Sequence, residues 1–565
     1  MRKNIFKRKY RDYEIEPDQI FLDDINISNL DRQQFEGVIE QPISQKTLVI
    51  LGSFFVVIFI LFFGRLGYLQ IMEGNSFLER SENNRLKRIP IFAERGVIYD
   101  RNNNEIAWNT DGGDEIAFSY RAYTERSGHG HLLGYVNYPQ TDSSGNFWRM
   151  EISGQAGIEK KYNELLSGSN GSELIETDAL GQTISNNTIL VPENGENLYT
   201  SIDTYIQHYL YEAIKHQAEI TGFQGGAGSI MNIHTGELVA FTSYPEFDPY
   251  TLAEGSDVEK IEGFFNDPHK PFLNRVLSGV YSPGSIVKPF LGIAALNEGL
   301  ITENTRILST GRIEVPNRFN PEEPSIFRDW RPGGHGITDI RHAIADSVNT
   351  FFYAIGGGWN GQEGLGIDRI DQYIEMFGIA QKTGIDFGNE SLGTIPNPEW
   401  KEQTFDDGTW RVGDTYITSI GQFGFQVTPI QMTRAIAALA NNGKLLQPLL
   451  VKGEPIITPI DTSIRIEHYQ LIRQAMRDTV TQGTAGIINT PAVHMAAKTG
   501  TAQVGVDNEF YNSWVIGFFP YENPEYAFSI VMERAPDGKD GSAGRAMRTF
   551  IDSVTLEYPE FWEEL

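Results

Sequence analysis

Between Thr47 and Gly64 the chain reads TLVILGSFFVVIFILFFG, 18 residues without a charge, closed by Arg65. At 1.5 Å per residue such a helix covers about 27 Å, and the apolar Leu66-Gly67-Tyr68-Leu69 can carry it further, close to the ~30 Å hydrocarbon thickness of a bilayer. Phe, Val, Ile and Leu lie on every side of this helix, so it has no polar face to turn toward water as a helix on a soluble core would. The run starts late for a secretory leader and no small-x-small site follows it. It reads as an uncleaved anchor over 47–69, which forces the remainder to fold as separate parts on either side of a membrane.

Orientation rests on charge. Arg2, Lys3, Lys7, Arg8, Lys9 and Arg11 make the amino end basic and favour a cytoplasmic tail over 1–46, polar and without periodicity. Close to the span the count runs the other way: Arg32 and Lys46 precede it, while Arg65, Arg80, Arg85, Lys87 and Arg88 follow. The far amino end and the chemistry described below therefore decide the expected topology, a single-pass protein of the inner membrane with its catalytic part extracytoplasmic.

A length of 565 residues exceeds one ordinary core. The net charge of −28 leaves no broad basic surface for phosphates, so nucleic acid is not an expected partner. With no cysteine, disulfides, thiol catalysis and cysteine-ligated metals are excluded.

Residues 70–196 alternate short apolar stretches with turn signals such as Asn102-Asn103-Asn104, Asp111-Gly112-Gly113 and Ser167-Gly168-Ser169-Asn170-Gly171, the pattern of a strand-rich spacer. From 197 to 565 the pattern changes. Helical spacing over 200–214 is followed by a hairpin, 226–233 and 237–242 about His234-Thr235-Gly236. Helical signals dominate the middle, at 286–295, 340–355, 367–376 and 429–442, and strand signals return at 493–497, 513–519 and 526–531. Strands at both ends with helices between predict an α+β domain whose sheet joins its two ends.

Three short motifs carry chemistry. Ser285-Ile-Val-Lys288 follows Ser282-Pro283-Gly284 and opens an apolar helix, which places Ser285 at the helix amino end with Lys288 one turn on along the same face. A serine hydroxyl needs a base, and a lysine serves once burial or a neighbouring cation lowers its pKa. The same spacing also suits an N-capping serine and a solvated lysine. Ser347-Val-Asn349 falls at a break between helical segments, where hydroxyl and amide can face one cleft. Ser-x-Asn recurs at Ser81, Ser144 and Ser185, where turn chemistry suffices. Lys-Thr-Gly occurs twice. Lys382-Thr383-Gly384 has the setting of a helix C-terminal turn, whereas Lys498-Thr499-Gly500 continues a strand into Thr501. There Lys498 and Gly500 should face one side and Thr499 and Thr501 the other, with Gly500 clearing room for a peptide at the strand edge.

These motifs, in this order and with the context Tyr281-Ser-Pro-Gly-Ser-Ile-Val-Lys-Pro-Phe290, resemble the transpeptidase domain of class B penicillin-binding proteins. Arg95-Gly-Val-Ile-Tyr-Asp-Arg-Asn102 and Gly154-Gln-Ala-Gly-Ile-Glu-Lys-Lys-Tyr162 resemble the signature segments of that class's pedestal. The resemblance implies a penicillin-binding fold, a mixed sheet with helices on both faces, behind a dimerisation-type pedestal. It implies that Ser285 attacks the penultimate D-alanyl carbonyl of a peptidoglycan stem peptide, with Lys288 as base, Ser347 relaying the proton to the leaving amine and Asn349 holding the substrate backbone. Lys498 would supply positive charge, Thr499 or Thr501 would receive the terminal carboxylate, and the N–H groups of Ser285 and Thr501 would form the oxyanion hole. β-Lactams would inhibit covalently, and no cofactor or zinc would be needed.

Trp400-Lys401, Trp410-Arg-Val-Gly-Asp-Thr415, Ser419-Ile-Gly-Gln422 and Thr428-Pro-Ile-Gln431 are nearer the elongation-type subgroup. One departure stands out: where the family usually reads Gly-Gln-Gly, this chain reads Gly421-Gln422-Phe423-Gly424. The spacer is too short to include a glycosyltransferase, so glycan polymerisation would fall to a membrane partner such as a SEDS-family polymerase among other wall-synthesis proteins. The same motifs also serve D,D-carboxypeptidases and serine β-lactamases. A non-catalytic β-lactam sensor or scaffold would be expected to carry degenerate motifs, and these are complete.

Overall fold

The computed structural model describes residues 44–77, 86–112, 117–177, 183–316, 320, 322–453, 459–539, 541–563 and 565. The basic amino end, almost all of the expected tail, and Arg80, Ser81 and Arg85 lie outside the described residues. Two compact units result, one containing the apolar helix and the other running from Arg88 onward apart from Thr177–Gly181.

In the first unit, helix α1 (Gln45–Gly67) continues through a π turn, Tyr68–Met72, to a length of 28 residues. That is about 42 Å, enough to cross a bilayer with some tilt. Ser44 caps it by accepting from the Thr47 N–H at 3.1 Å. No residue of α1 is buried, and Phe54, Val57, Ile60 and Phe63 stand exposed around its circumference. A helix apolar on every side has lipid as its natural solvent, so the chain is membrane-anchored.

The second unit begins with a small sheet: β1 (Ile98–Tyr99), β2 (Glu105–Thr110) and β3 (Tyr120–Tyr123) pair antiparallel, and β4 (Leu198–Tyr199) adds to β1 in parallel. The two pedestal segments quoted above meet here through a buried carboxylate. Glu159 receives the Arg95 Nε at 2.6 Å on one oxygen and the Arg121 Nε at 2.7 Å on the other. Arg95 also donates to the Glu159 and Ile152 carbonyls and to Asn163 Oδ1. Burial alone would raise the Glu159 carboxyl, but Arg121 and Arg95 outweigh it and hold the group below the ordinary range.

After β4 comes α2 (Thr204–Thr221), started by Asp203, which accepts from the Tyr205 and Ile206 N–H groups, and ended by Gly222 at φ +87°. The hairpin β5 (Gly225–Asn232) and β6 (Leu238–Tyr244) follows. Then come helices α3 (Lys288–Asn297), α4 (Ile340–Ala345), α5 (Asn349–Gly357), α6 (Pro429–Ala440) and α7 (Ile466–Thr481). The meander β7 (Ala496–Val504), β8 (Phe510–Phe519) and β9 (Tyr526–Pro536) and helix α8 (Ala543–Glu557) complete the domain. The sheet order is β6-β5-β9-β8-β7, so the β5–β9 pairing does join the domain's early and late parts.

In one detail the central sheet differs from the mixed sheet expected: all its pairings are antiparallel. Within the hairpin and within the meander, short connections permit only antiparallel neighbours, and the long-range β5–β9 pairing that joins them is antiparallel as well. The parallel pairing sits in the small sheet instead. Period-2 alternation feeds two cores. Trp514, Ile516 and Phe518 of β8 face the helical middle with Phe290, Ile436 and Ile472, while Val515 and Phe519 face Leu210 of α2 and Phe550 of α8. Each such buried side chain contributes about 1.5–3 kcal/mol. The α6 start is a capping box, Thr428 with Gln431, with Pro429 in its first turn.

Glu159→Gln removes the one carboxylate shared by two buried guanidinium groups. It is expected to destabilise the fold by about 3–5 kcal/mol, read as a lower midpoint in denaturant unfolding; an unchanged midpoint would show that the triad contributes nothing net.

Candidate active site

Ser285 lies in a 3-10 turn, Gly284–Val287, and the α-helix proper begins only at Lys288. This is tighter than the helix start expected, and it serves the same end, because at three residues per turn the side chains at i and i+3 eclipse. Gly284 has φ +56°, and a Cβ there would come within 2.8 Å of the Thr501 carbonyl oxygen. Its N–H donates to the Gly421 carbonyl at 2.9 Å, and the Ser282 hydroxyl donates to the same oxygen at 2.8 Å. The turn is therefore wedged between the β7 backbone and the 421–424 segment.

Lys288 is fully buried. Its Nζ is 2.7 Å from the Ser347 carbonyl oxygen, 2.7 Å from Asn349 Oδ1 and 3.2 Å from the Ser347 hydroxyl. Burial first, and the Lys498 charge second, hold this amine well below the ordinary lysine range, against the opposing pull of Asp329. A neutral amine has two hydrogens and one lone pair. The carbonyl and the amide oxygen, which can only accept, take the hydrogens, and the lone pair is left for a hydroxyl.

Ser347 sits between α4 and α5 with φ +58°, an uncommon conformation for a residue with a side chain, and is buried to 8% exposure. The break between the helices turns its hydroxyl and carbonyl toward Lys288. Asn349 opens α5, and its side-chain oxygen is occupied by Lys288 while its amide group lines the cleft.

Lys498 is also fully buried, on β7 at the sheet edge, and its Nζ donates to the Thr499 carbonyl at 2.8 Å. Burial pushes its amine down to about 7, with Asp346 opposing. The Thr499 hydroxyl meets the Thr484 hydroxyl at 2.7 Å, and Thr501 is exposed. A Cβ at Gly500 would lie 2.8 Å from the Pro283 carbonyl oxygen and 2.9 Å from Ile286 Cγ2. Seating the serine turn thus demands this glycine, a reason the sequence reading missed. The other copy, Lys382-Thr383-Gly384, is a surface turn in which Thr383 and Gly384 donate to the Glu390 carboxylate. Ser144-Gly-Asn146 is likewise a turn, folded about Asp142 Oδ1.

Ser285, Ser347, Asn349, Thr499, Gly500 and Thr501 line one cleft of about 990 Å³, with both lysines beneath it. Trp330 stands 57% exposed at its wall, its indole donating to the Asp346 carbonyl at 3.0 Å. Trp330 and Asp329, an acidic neighbour of Lys288, belong to no motif and had no signal in the sequence, while Asp346, the acidic neighbour of Lys498, directly precedes Ser347. Among the described residues no group of three or more His, Asp or Glu is placed to hold a metal ion.

Phe423 adopts φ +64°. A left-handed backbone costs a residue with a side chain about 1–2 kcal/mol. An aromatic enclosure of Trp400, Phe405 and Trp410, with ring centroids 5.6–5.9 Å away, surrounds its ring and offsets that cost.

The family model for the penicillin binding protein transpeptidase domain matches residues 226–552, and that for the penicillin-binding protein dimerisation domain matches 117–200. Peptidoglycan D,D-transpeptidase MrdA of Escherichia coli K12 is 28% identical, covering 86% of this chain and 90% of that protein. The Acinetobacter baumannii MrdA is 32% identical, covering 75% of this chain and 64% of its own length. Among solved structures, Helicobacter pylori PBP2 in complex with MreC has a TM-score of 0.68 at 27% identity, over 84% of this chain and 99% of that one. Pseudomonas aeruginosa PBP2 in complex with WCK 5153 has a TM-score of 0.68 at 29% identity, over 84% and 97%.

The burial of the two lysines generates a direct test. In a lysine-labelled NMR titration, Lys498 should lose its proton near about 7 and Lys288 well below the ordinary lysine value, each becoming neutral as pH rises. Titration of both near the ordinary value of about 10.4 would contradict the geometry.

Proposed function

The chain belongs to the class B penicillin-binding proteins, peptidoglycan D,D-transpeptidases of cell-wall synthesis, nearer the elongation-type members, and from that premise we propose that Ser285 is its nucleophile and Lys288 the general base. The observation that carries the assignment is the buried Lys288 amine, tied to Ser347 and Asn349 at the base of the cleft that Ser285 lines.

Neutral Lys288 accepts the Ser285 proton as Oγ attacks the carbonyl of the penultimate D-alanine. The N–H groups of Ser285 and Thr501 stabilise the oxyanion, a contribution of about 2.7–4 kcal/mol per donor. The proton then passes through the Ser347 hydroxyl to the leaving nitrogen, and terminal D-alanine departs. An amine of a second stem attacks the ester, forms the cross-link and frees Ser285. Asn349 offers its amide N–H groups to the donor backbone. The Thr499 or Thr501 hydroxyl takes the terminal carboxylate, assisted by the Lys498 charge.

The apolar helix leaves the amino end in the cytoplasm and the catalytic part outside, where stem peptides are. The pedestal over 70–196 and the transpeptidase domain over 197–565 then stand beyond the membrane. The H. pylori relative is solved with MreC. By likeness to it, this chain works in an assembly with other wall-synthesis proteins; because its own spacer leaves no room for a glycosyltransferase, a SEDS-family polymerase in the membrane supplies the glycan.

A fluorescent penicillin should label the wild-type protein, and Ser285→Ala should abolish labelling with the fold intact; retained labelling would remove Ser285 from the role. The acyl-enzyme should persist well beyond seconds, since a hydrolase would clear it faster. Acylation should rise with pH as Lys288 loses its proton, then fall as Lys498 loses its charge above about 7. A rate still rising at pH 9 would count against a charge role for Lys498.

A further inference from the structure

The segment that buttresses the serine turn is held on two sides. On one, the N–H of Gly421 donates to the Thr418 carbonyl at 2.9 Å, fixing it to the end of the helix Val412–Thr418. On the other, the half-buried Phe423 packs in an aromatic cluster at the surface: Phe405, itself 46% exposed, stacks on it at 5.8 Å and 4°, while Trp400 and Trp410 meet it edge-on at 5.6 and 5.9 Å. The Lys401 ammonium lies 5.6 Å from the ring centroid and is itself anchored by Asp414 Oδ2 and the Thr409 carbonyl, both at 2.7 Å.

The backbone at 423 is left-handed, φ +64°, and in that conformation the ring reaches this cluster. Gly424 follows at φ +80°, and a Cβ on it would come within 2.4 Å of the Trp400 ring, so the backbone lies flat against the enclosure wall. Two residues back, the Gly421 carbonyl receives the Gly284 N–H and the Ser282 hydroxyl, and a Cβ on Gly421 would lie 2.2 Å from the Gly284 carbonyl oxygen. The connection from the ring to the residue before Ser285 is therefore three residues of backbone with both ends fixed.

We propose that Phe423 is a positioning residue for the acylation step: its ring, locked among Trp400, Phe405 and Trp410, fixes the left-handed backbone through which Gly421 holds the Ser282–Ser285 turn at its attacking geometry. Phe423 touches no reacting atom, and its effect passes through Gly421. The inference rests on the assignment of Ser285 as nucleophile. Small displacements of a reacting group cost rate more than affinity, since binding is spread over the cleft while attack depends on one atom.

The test is stopped-flow acylation by a chromogenic β-lactam, separating the non-covalent dissociation constant from the acylation rate constant. Three variants in the full-length protein are compared. Phe423→Ala should lower the rate constant by about tenfold or more and leave the dissociation constant within about threefold, and Phe423→Tyr should restore it to within about twofold. Phe423→Gly accommodates the left-handed backbone without strain, so it should fold at least as stably as the alanine variant and still acylate slowly. A glycine variant acylating at the wild-type rate, or an alanine variant whose loss falls in the dissociation constant, would overturn the proposal. Wild-type protein that is acylated elsewhere than at Ser285 would overturn the nucleophile assignment itself, a separate failure visible in the control.

Discussion

Two lysine side chains, Lys288 and Lys498, are buried and, among the described residues, neither is in an ion pair, Asp329 and Asp346 acting on them only from a distance, and the rest of the site follows from that fact. A buried ammonium is costly, so each amine is driven toward its neutral form and satisfied by carbonyl and amide oxygens. For Lys288 those oxygens come from Ser347 and Asn349, on either side of the break between α4 and α5. Breaking a helix so that one residue's carbonyl and the next-but-one residue's amide converge on a single nitrogen requires the left-handed conformation at Ser347. The helix break, the buried amine and the hydroxyl beside it are thus one construction.

Ser285, the proposed nucleophile, is placed by exclusion of atoms. Gly284, Gly421 and Gly500 each sit where a single added carbon would collide with backbone, and together they bring the serine turn, the sheet edge and the 421–424 segment within van der Waals contact. Side chains anywhere along these contacts would push the three apart, and the alignment needed for attack would be lost.

Much of this was legible in the sequence, and the reasons differ by residue. The anchor was readable because lipid imposes a length and an all-round apolarity that no water-facing helix shares. Lys498 could be told from Lys382 because one follows a strand and the other a helix end, and the structure gives Lys382-Thr383-Gly384 a turn partner, Glu390, that accounts for it. What was not legible depends on contacts between distant segments. The requirement for Gly500 arises from Pro283 and Ile286, more than 200 positions away. Asp346 comes with its chain neighbour Ser347, whereas Trp330 and Asp329 reach the site by tertiary packing alone. The same is true of the pedestal, where Arg95 and Glu159 were visible as members of two polar segments, but nothing in either segment announced a pairing buried from water. The antiparallel pairing within the hairpin and within the meander was implicit in their short connections, which the mixed-sheet expectation left unused, whereas the direction of the β5–β9 pairing was not.

The pairing of β5 with β9 has a consequence for how the protein comes into being. Gly225–Asn232 is made early and can form its hairpin with Leu238–Tyr244, yet its other edge waits for Tyr526–Pro536, nearly 300 residues later. Across that interval the nascent domain carries an open, apolar strand edge and no second face for its helices, a state prone to mispairing. The strand bearing Lys498 is likewise among the last to be synthesised, and it joins the sheet only through β8. No partial chain can therefore hold an assembled site, so acylating activity appears only when synthesis of the domain is essentially finished.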